Sequence, residues 1–391
     1  MTKKIRTNFR KNRNAPPRKT DWTQEYEEHG FAQSDTDSDE RIVGKGKQAK
    51  RLTVKGELVH NSDSGGFSVA LEVNDSLCRL GRVLSAHGLN SFVADEENGK
   101  VYRCQIRRLL KTLSTQQRNA VVAGDWVLFR PAEESDIQEG FIERIEPRKS
   151  VLCRTSWKKQ HVIAANIDQV FIVGSAAQPR IKPNLIDRII LTAEKVNLKP
   201  IVCINKIDLA NPADFQPLAG VYAALGLDVL FLSAETGQGI EELRSHLAGK
   251  ASVITGQSGV GKSSLLNAVD PNLQLETSEV SEENSKGRHT TTAAKLYRLN
   301  LCNSNASSYV LDTPGIRSFA LWDVIPEEVA GLYRDIRPFV SQCQFDDCTH
   351  THEIGCAVKA AVADGYIDAR RYESYCQIFA GELEEELNSW E

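Results

Sequence analysis

The sequence predicts a multidomain chain: an N-terminal all-β barrel of the OB type, a central α/β domain on a mostly parallel sheet, and a C-terminal, mostly α domain organised around a metal. Three observations predict it. Short runs of alternating polarity follow one another between Leu52 and Pro147. After Arg148 apolar strands alternate with amphipathic helices, the grammar of βαβ units. Beyond Pro326 the chain turns polar and helical around a cluster of Cys and His. At 391 residues there is room for several domains of roughly 150 residues each, and the expected boundaries are 1–50, 51–150, 151–325 and 326–391.

Residues 1–20 carry eight Lys or Arg and no acid, and residues 21–40 carry eight Asp or Glu and no Lys or Arg. Such a segment has little to bury and reads as a disordered arm. It is either a solvated tail or, the favoured reading, a phosphate-neutralising arm whose acidic block folds back or repels competing polyanions. The longest apolar stretch, Val162 to Ala177, is interrupted by Asp168 and is shorter than the ~18 residues of a bilayer span. No hydrophobic region follows the basic start. A cytoplasmic protein with no membrane partner is expected. Nine cysteines, an odd number, argue for reduced thiols or metal ligands over a disulfide framework.

The barrel strands are expected at Leu52–Val59, Phe67–Val73, Ser91–Ala94, Val101–Ile106, Trp126–Phe129 and Phe141–Ile145, with Asn98-Gly99 as a hairpin turn and Gly65-Gly66 and Gly124-Asp125 as further turns. Arg103, Arg107, Arg108, Lys111 and Arg118 would give it a basic edge for RNA. In the α/β domain, strands are expected at Gln169–Val173, Pro200–Ile204, Val229–Leu232, Ala251–Thr255, Lys295–Leu301 and Tyr309–Leu311. Helices are expected at Leu185–Val196, Phe215–Leu225 and Ile240–Leu247, and a last, acidic helix near Tyr366–Leu387.

Gly256-Gln257-Ser258-Gly259-Val260-Gly261-Lys262-Ser263 fits GxxxxGK[ST] between a strand and the helix that opens at Ser264. Backbone N–H groups of such a loop cup phosphates, Lys262 reaches the outer ones, and the Ser263 hydroxyl suits Mg²⁺. Asn205-Lys206-Ile207-Asp208 closes a strand at the sheet edge where ligands of α/β folds bind. A carboxylate at Asp208 accepts from guanine N1–H and the exocyclic amine, and adenine offers no such pair of donors. GTP is therefore the expected ligand, with Asn205 tying the two loops and the Lys206 stem lying against the base. Ser233-Ala234 ends the next strand and resembles a loop that contacts guanine O6. Asp312-Thr313-Pro314-Gly315 supplies an acid for the Mg²⁺ shell and a glycine N–H for the γ-phosphate. In Gly287-Arg288-His289-Thr290-Thr291-Thr292, Thr291, or else Thr290, is expected to complete that shell. The parts stand in an unusual order, NKxD and SA before the phosphate loop, so the domain is circularly permuted and DxxG leads straight into the C-terminal domain.

Cys343, Cys348, His350 and Cys356 read C-x4-C-x-H-x5-C, three thiolates and one imidazole suited to one closed, structural Zn²⁺ site, with His352 a competing ligand. Cys78, Cys104, Cys153, Cys203, Cys302 and Cys376 fit no ligand pattern and are expected to pack.

The permuted order, GQSGVGKSSLLN, KGRHTTTA, DTPGIR and the Cys/His pattern together resemble the RsgA (YjeQ) family over about residues 50–380. The resemblance implies an OB-fold, a GTPase domain and a zinc domain acting in late maturation of the small ribosomal subunit, through ribosomal RNA, with stimulation by the particle. Ile316 follows Gly315 where many GTPases carry a water-orienting glutamine. His289 is the expected substitute, since imidazole holds or polarises water near neutral pH, and the resemblance points to the same residue. The expected function is thus a monomeric GTP hydrolase released from the subunit by hydrolysis. The alternative is a nucleotide-gated RNA-binding module in which hydrolysis is incidental. A GTPase serving membranes or tubulin ranks last, because no lipidation motif or amphipathic anchor is present.

Overall fold

The computed structural model describes residues 3–8, 51–58, 69–71, 73, 77–88, 90–107, 110, 120–132, 138–156, 159–275, 294–301, 307–312 and 326–381. Its first sheet is antiparallel, in the order β1 (Lys3–Asn8), β2 (Arg51–Leu58), β3 (Val69–Leu71). This corrects two expectations. Residues 3–8, read as part of an unfolded arm, form a strand, because ladder hydrogen bonds need only backbone and are indifferent to a basic composition. The segments expected to open the barrel lie in this separate sheet.

The barrel closes without them, through β4 (Arg79–His87), β5 (Asn90–Asp95), β6 (Val101–Ile106), β7 (Trp126–Pro131) and β8 (Glu139–Ile145) in the order β4-β5-β6-β8-β7, with β4 pairing β7. Closure leaves no edge for a sixth strand. Strand β4 is absent from the sequence reading because Gly81 and Arg82 break its alternation. Both have tertiary reasons. A Cβ at Gly81 would sit 2.5 Å from Val93 Cγ1, and Arg82 is buried between the rings of Trp126 and Tyr309, 4.9 and 4.7 Å from their centroids, donating to Asn166 O at 2.7 Å. Burial lowers the Arg82 pKa below its usual value, and the negative ends of Tyr309 and Asp168 partly offset this. The turn at Asn98-Gly99 is as expected, with Gly99 at φ +68°.

At the next junction β9 (Val151–Ser156) and β10 (Lys159–Ala165) form an antiparallel pair. Arg148 forks onto Asp125 through Nε–Oδ1 (2.7 Å) and Nη2–Oδ2 (2.8 Å), both side chains fully enclosed. Gly124, at φ +87°, lies so close to the chain beyond that a Cβ would be 2.0 Å from Ala165 O.

The central sheet runs β13-β12-β11-β14-β16-β15, from β11 (Gln169–Ser175), β12 (Lys199–Asn205), β13 (Asp228–Phe231), β14 (Ala251–Thr255), β15 (Lys295–Leu299) and β16 (Ser308–Asp312). All pairs are parallel except β15 with β16. Alternate residues serve opposite faces. Val170, Ile172 and Val202 join Ile186, Ile189 and Ile190 of α1 (Pro183–Lys195) and Tyr222 of α2 (Gln216–Ala224). Phe171, Val173, Ile201 and Cys203 join Leu243 and Leu247 of α3 (Ile240–Leu247) and Leu265 and Leu266 of α4 (Lys262–Val269).

The C-terminal part contains α5 (Pro326–Leu332), α6 (Arg337–Val340), α7 (Ala357–Ala363) and α8 (Ala369–Phe379). Of the helix expected near Tyr366–Leu387, the structure shows α8 starting behind the Asp368 cap, whose carboxylate accepts from Arg370 N and Arg371 N, and ending at Phe379; residues 382–387 lie outside the described residues. Its core takes in Leu191 of α1, so this domain is seated on the helix that feeds β12.

Candidate functional site

The phosphate loop follows β14 and its glycines answer backbone demands. Gly256 has φ +146° and a Cβ there would fall 2.1 Å from Val173 O, while Gly259 has φ +78° and Gly261 φ +91°. Val260 is buried and anchors the loop, Ser258 is exposed, and Gln257 is half-buried. Lys262 opens α4, followed by half-buried Ser263 and Ser264 in the first turn. Its ammonium lies across the loop, donating to Gly256 O (2.9 Å) and Gln257 O (2.7 Å). Backbone N–H groups at this helix start favour an anion.

β12 delivers Asn205 to the same edge of the sheet. Buried there, Asn205 donates from Nδ2 to Val260 O at 2.8 Å, and its Oδ1 finds no hydrogen-bond partner among the described residues. Lys206 adopts the left-handed conformation, φ +60°, which turns its stem toward the phosphate loop, and Nζ donates to Gly259 O (2.7 Å) and Gln178 O (2.8 Å). Ile207 is buried and donates to Leu232 O (3.2 Å), leaving Asp208 exposed in a short 3₁₀ turn. The neighbouring loop starts with buried Ser233, whose N–H donates to Gln238 O (3.0 Å) and whose Oγ accepts from Thr236 N (3.1 Å), and half-buried Ala234 follows. β16 ends at Asp312 beside β14, with Leu311 opposite Val253. Phosphate loop, NKxD turn, SA loop and the end of β16 thus share one edge. His289, Thr290, Thr291, Gly315 and Ile316 lie outside the described residues.

In the C-terminal domain, ligand atoms of Cys343, Cys348, His350 and Cys356 lie within 4.8 Å of one another. A tetrahedral zinc ion with Zn–S about 2.3 Å and Zn–N about 2.05 Å requires S···S near about 3.8 Å and S···N near about 3.6 Å. The cluster shows Cys343 Sγ to Cys356 Sγ at 3.9 Å, and His350 Nδ1 to Cys343 and Cys356 sulfurs at 3.4 and 3.6 Å. The donor set fits such an ion. His350 rather than His352 faces the thiols, and His352 is exposed. Burial lowers the His350 pKa, keeping a lone pair available, and burial with the neighbouring thiols pushes Cys348 up to about 12.

Several residues that build the site carry no motif. His350 sits at φ +61°, fixed by Tyr372 Oη donating to His350 O and Tyr375 Oη donating to Thr349 O, both at 2.7 Å. Glu353 accepts from the N–H groups of Thr349 (2.7 Å), Thr351 (3.0 Å) and His352 (3.2 Å). Burial works against its charge, but these bonds and the Thr349 hydroxyl hold the carboxyl well below the usual range. A carboxylate three residues before a ligand cysteine is its only trace in the sequence.

Comparison with known proteins gives a consistent result. A family model described as RsgA GTPase matches residues 145–322. Among curated proteins the chain is 38% identical over 315 residues to the small ribosomal subunit biogenesis GTPase RsgA 1 of Vibrio vulnificus (strain YJ016), covering 79% of this chain and 86% of that one. It is 40% identical over 294 residues to the protein of that name, RsgA, from Chlorobaculum parvum, covering 73% and 92%. Among solved structures, YjeQ from Thermotoga maritima matches with a TM-score of 0.63 and 35% identity over 78% of this chain and 99% of that one. YloQ, described as a circularly permuted GTPase, matches with a TM-score of 0.61 and 30% identity, covering 80% and 98%.

Proposed function

The chain belongs to the RsgA GTPase family, and from that premise we propose that it binds the small ribosomal subunit and assists its late maturation, the subunit stimulating GTP hydrolysis and hydrolysis driving release. It is a GTP hydrolase, yielding GDP and phosphate. One observation carries the site reading. The Asn205 amide donates to the Val260 carbonyl at 2.8 Å, which ties the NKxD turn to the phosphate loop although they lie 55 residues apart in permuted order.

In this reading the loop from Gly256 to Ser264 holds the phosphates, Asp208 selects guanine, and Ser233 and Ala234 present backbone to O6. Gly315 reads the γ-phosphate, and the oxygens of Ser263, Thr291 and Asp312 hold the Mg²⁺ that arrives with GTP, a hard cation suited to such donors. His289 positions the attacking water. Cys343, Cys348, His350 and Cys356 hold one zinc ion, which would cross-link the tail. Ribosomal RNA is the barrel's partner, and the protein acts as a cytoplasmic monomer. No helix among the described residues is long and apolar enough to cross a membrane.

Asp208→Asn tests the base selection. Loss of one matched acceptor costs about 1–3 kcal/mol, so GTP affinity is expected to fall roughly 5- to 150-fold with phosphate contacts intact. Adding purified small subunits is expected to raise turnover, and His289→Ala to leave GTP and subunit binding intact while blocking release. Equal turnover with and without subunits would sink the stimulated-hydrolysis reading, and normal release of the His289 variant would favour a nucleotide-gated binding module.

Removing the metal is the test of its structural role. A chelator, or Cys348→Ser, is expected to lower zinc content from one per chain and to open residues 341–381 to protease, while GTP binding persists. Because thiols must lose protons to bind, metal affinity is expected to fall as pH falls. Unchanged protease resistance after complete zinc loss would contradict this.

A further inference from the structure

Two large apolar side chains stand out on the loops of the Cys/His cluster. Phe345 is 48% exposed, two residues after Cys343, and Ile354 is 88% exposed, two residues before Cys356. The Cys343 and Cys356 sulfurs are 3.9 Å apart, and Gln344 N–H donates to Gly355 O at 3.4 Å, so the two loops meet at the residues next to Phe345 and Ile354. Gly355, at φ +76°, permits the close approach, since a Cβ there would lie 2.5 Å from Gln344 Oε1. The domain does not need this pair for its own packing. Its core is formed by Tyr333, Ile336, Val358, Ile367 and Tyr375.

The surroundings are acidic. Asp346 and Asp347 are exposed beside Phe345, and residues 341–356 hold three acids and no Lys or Arg. Lys359 is the nearest following cation in sequence, and its ammonium donates to the Glu353 backbone carbonyl at 3.3 Å. The barrel's outer face is mixed in charge: exposed Phe92 lies opposite Arg103, which also faces Glu139, and exposed Phe141 lies opposite Arg130, whose guanidinium is 3.5 Å from Glu143. A polyanion is repelled by the cluster's loops.

We infer that the Phe345–Ile354 loops are a docking surface for a basic protein rather than for RNA. A cationic segment lays an apolar side chain against Phe345 and Ile354, with Asp346 and Asp347 receiving its charges. Apolar anchors ringed by complementary charge are how small interfaces concentrate affinity and orientation. The inference rests on the reading of the target as a ribosomal subunit, a particle that offers both RNA and basic proteins.

The test uses the full-length chain and purified small subunits, with a photo-activated benzophenone residue at position 345, at 354 or, as the barrel control, at 92. The adducts at 345 and 354 are expected to survive ribonuclease and to contain a subunit protein of net positive charge. Phe345→Ser with Ile354→Ser, and separately Asp346→Lys with Asp347→Lys, are expected to weaken subunit binding about tenfold, with zinc content and subunit-free GTP turnover unchanged. RNA adducts at 345 and 354, the absence of any protein adduct there, or unaltered affinity of both double variants each overturn the inference. If the parent chain fails to sediment with small subunits at all, the functional reading falls along with it.

Discussion

Lys262→Ala is expected to reduce GTP affinity and turnover by at least about 100-fold while leaving the fold intact. Removing one preorganised donor from a site of developing charge typically costs about 10²–10³ in rate, and a charge-assisted bond to phosphate is among the stronger hydrogen bonds. In the structure the ammonium rests on Gly256 O and Gln257 O, at 2.9 and 2.7 Å. Those carbonyls belong to the loop's own backbone, so the lysine is held over the mouth of the loop, ready to exchange two neutral acceptors for charged phosphate oxygens. Nothing in the core depends on it, since the loop is anchored by buried Val260 and by the Asn205 amide. Titration with a fluorescent GTP analogue and single-turnover hydrolysis read the effect, with circular dichroism and zinc content as controls. A variant that hydrolyses GTP within threefold of the parent would mean that the phosphates are held elsewhere.

The second large effect is on assembly of the C-terminal domain. Arg371 of α8 is buried, and its guanidinium donates to Asp187 Oδ1 of α1 (2.7 Å) and, through Nε and Nη2, to both oxygens of Asp335 (3.0 Å each). It also lies over the Tyr333 ring, 4.4 Å from its centroid. Burial opposes the charge, but the Asp335 bonds and the Asp187 carboxylate outweigh it and raise the guanidinium pKa. Arg371→Met leaves fully enclosed Asp187, among the described residues, with the Tyr222 hydroxyl at 2.9 Å and Arg370 at 3.8 Å. Breaking one partner of such a buried pair costs about 3–5 kcal/mol, because the other charge stays desolvated. The domain should then lift from α1, seen as a lower melting transition and faster proteolysis beyond residue 326. Adding Asp187→Leu should restore part of the loss, since no lone carboxylate then remains on α1. A melting transition for Arg371→Met within a degree or two of the parent would show that the other contacts on α1, such as Arg334 with Glu194 at 2.6 Å, carry the docking by themselves.

The C-terminal domain grips α1, which feeds the NKxD strand β12, whereas the barrel touches the other half of the sheet through Arg82 on Tyr309 of β16. The chain after Asp312 thus leads from the half of the sheet that the barrel touches to the domain seated on the other half.

Readable from the chain alone is whatever a few neighbouring residues can encode. The alternation of strands and helices from 169 to 269 is legible because period 2 and period 3.6 patterns are local. The phosphate loop is legible because its glycines satisfy dihedral demands at their own positions, and the Cys/His quartet because ligand spacing is short. Tertiary structure alone decided the rest. Strand β4 was hidden because its Gly81 and Arg82 make sense only against Val93, Trp126 and Tyr309, and β2 was misassigned because its pattern suits either sheet. His350 is the expected ligand with His352 in competition, and packing settles it by burying the first and exposing the second. The Arg371–Asp187 pair spans 184 residues and the Asn205–Val260 tie 55. Contacts at such separations are fixed by which groups burial leaves without water and obliges to find each other, and no local rule states that.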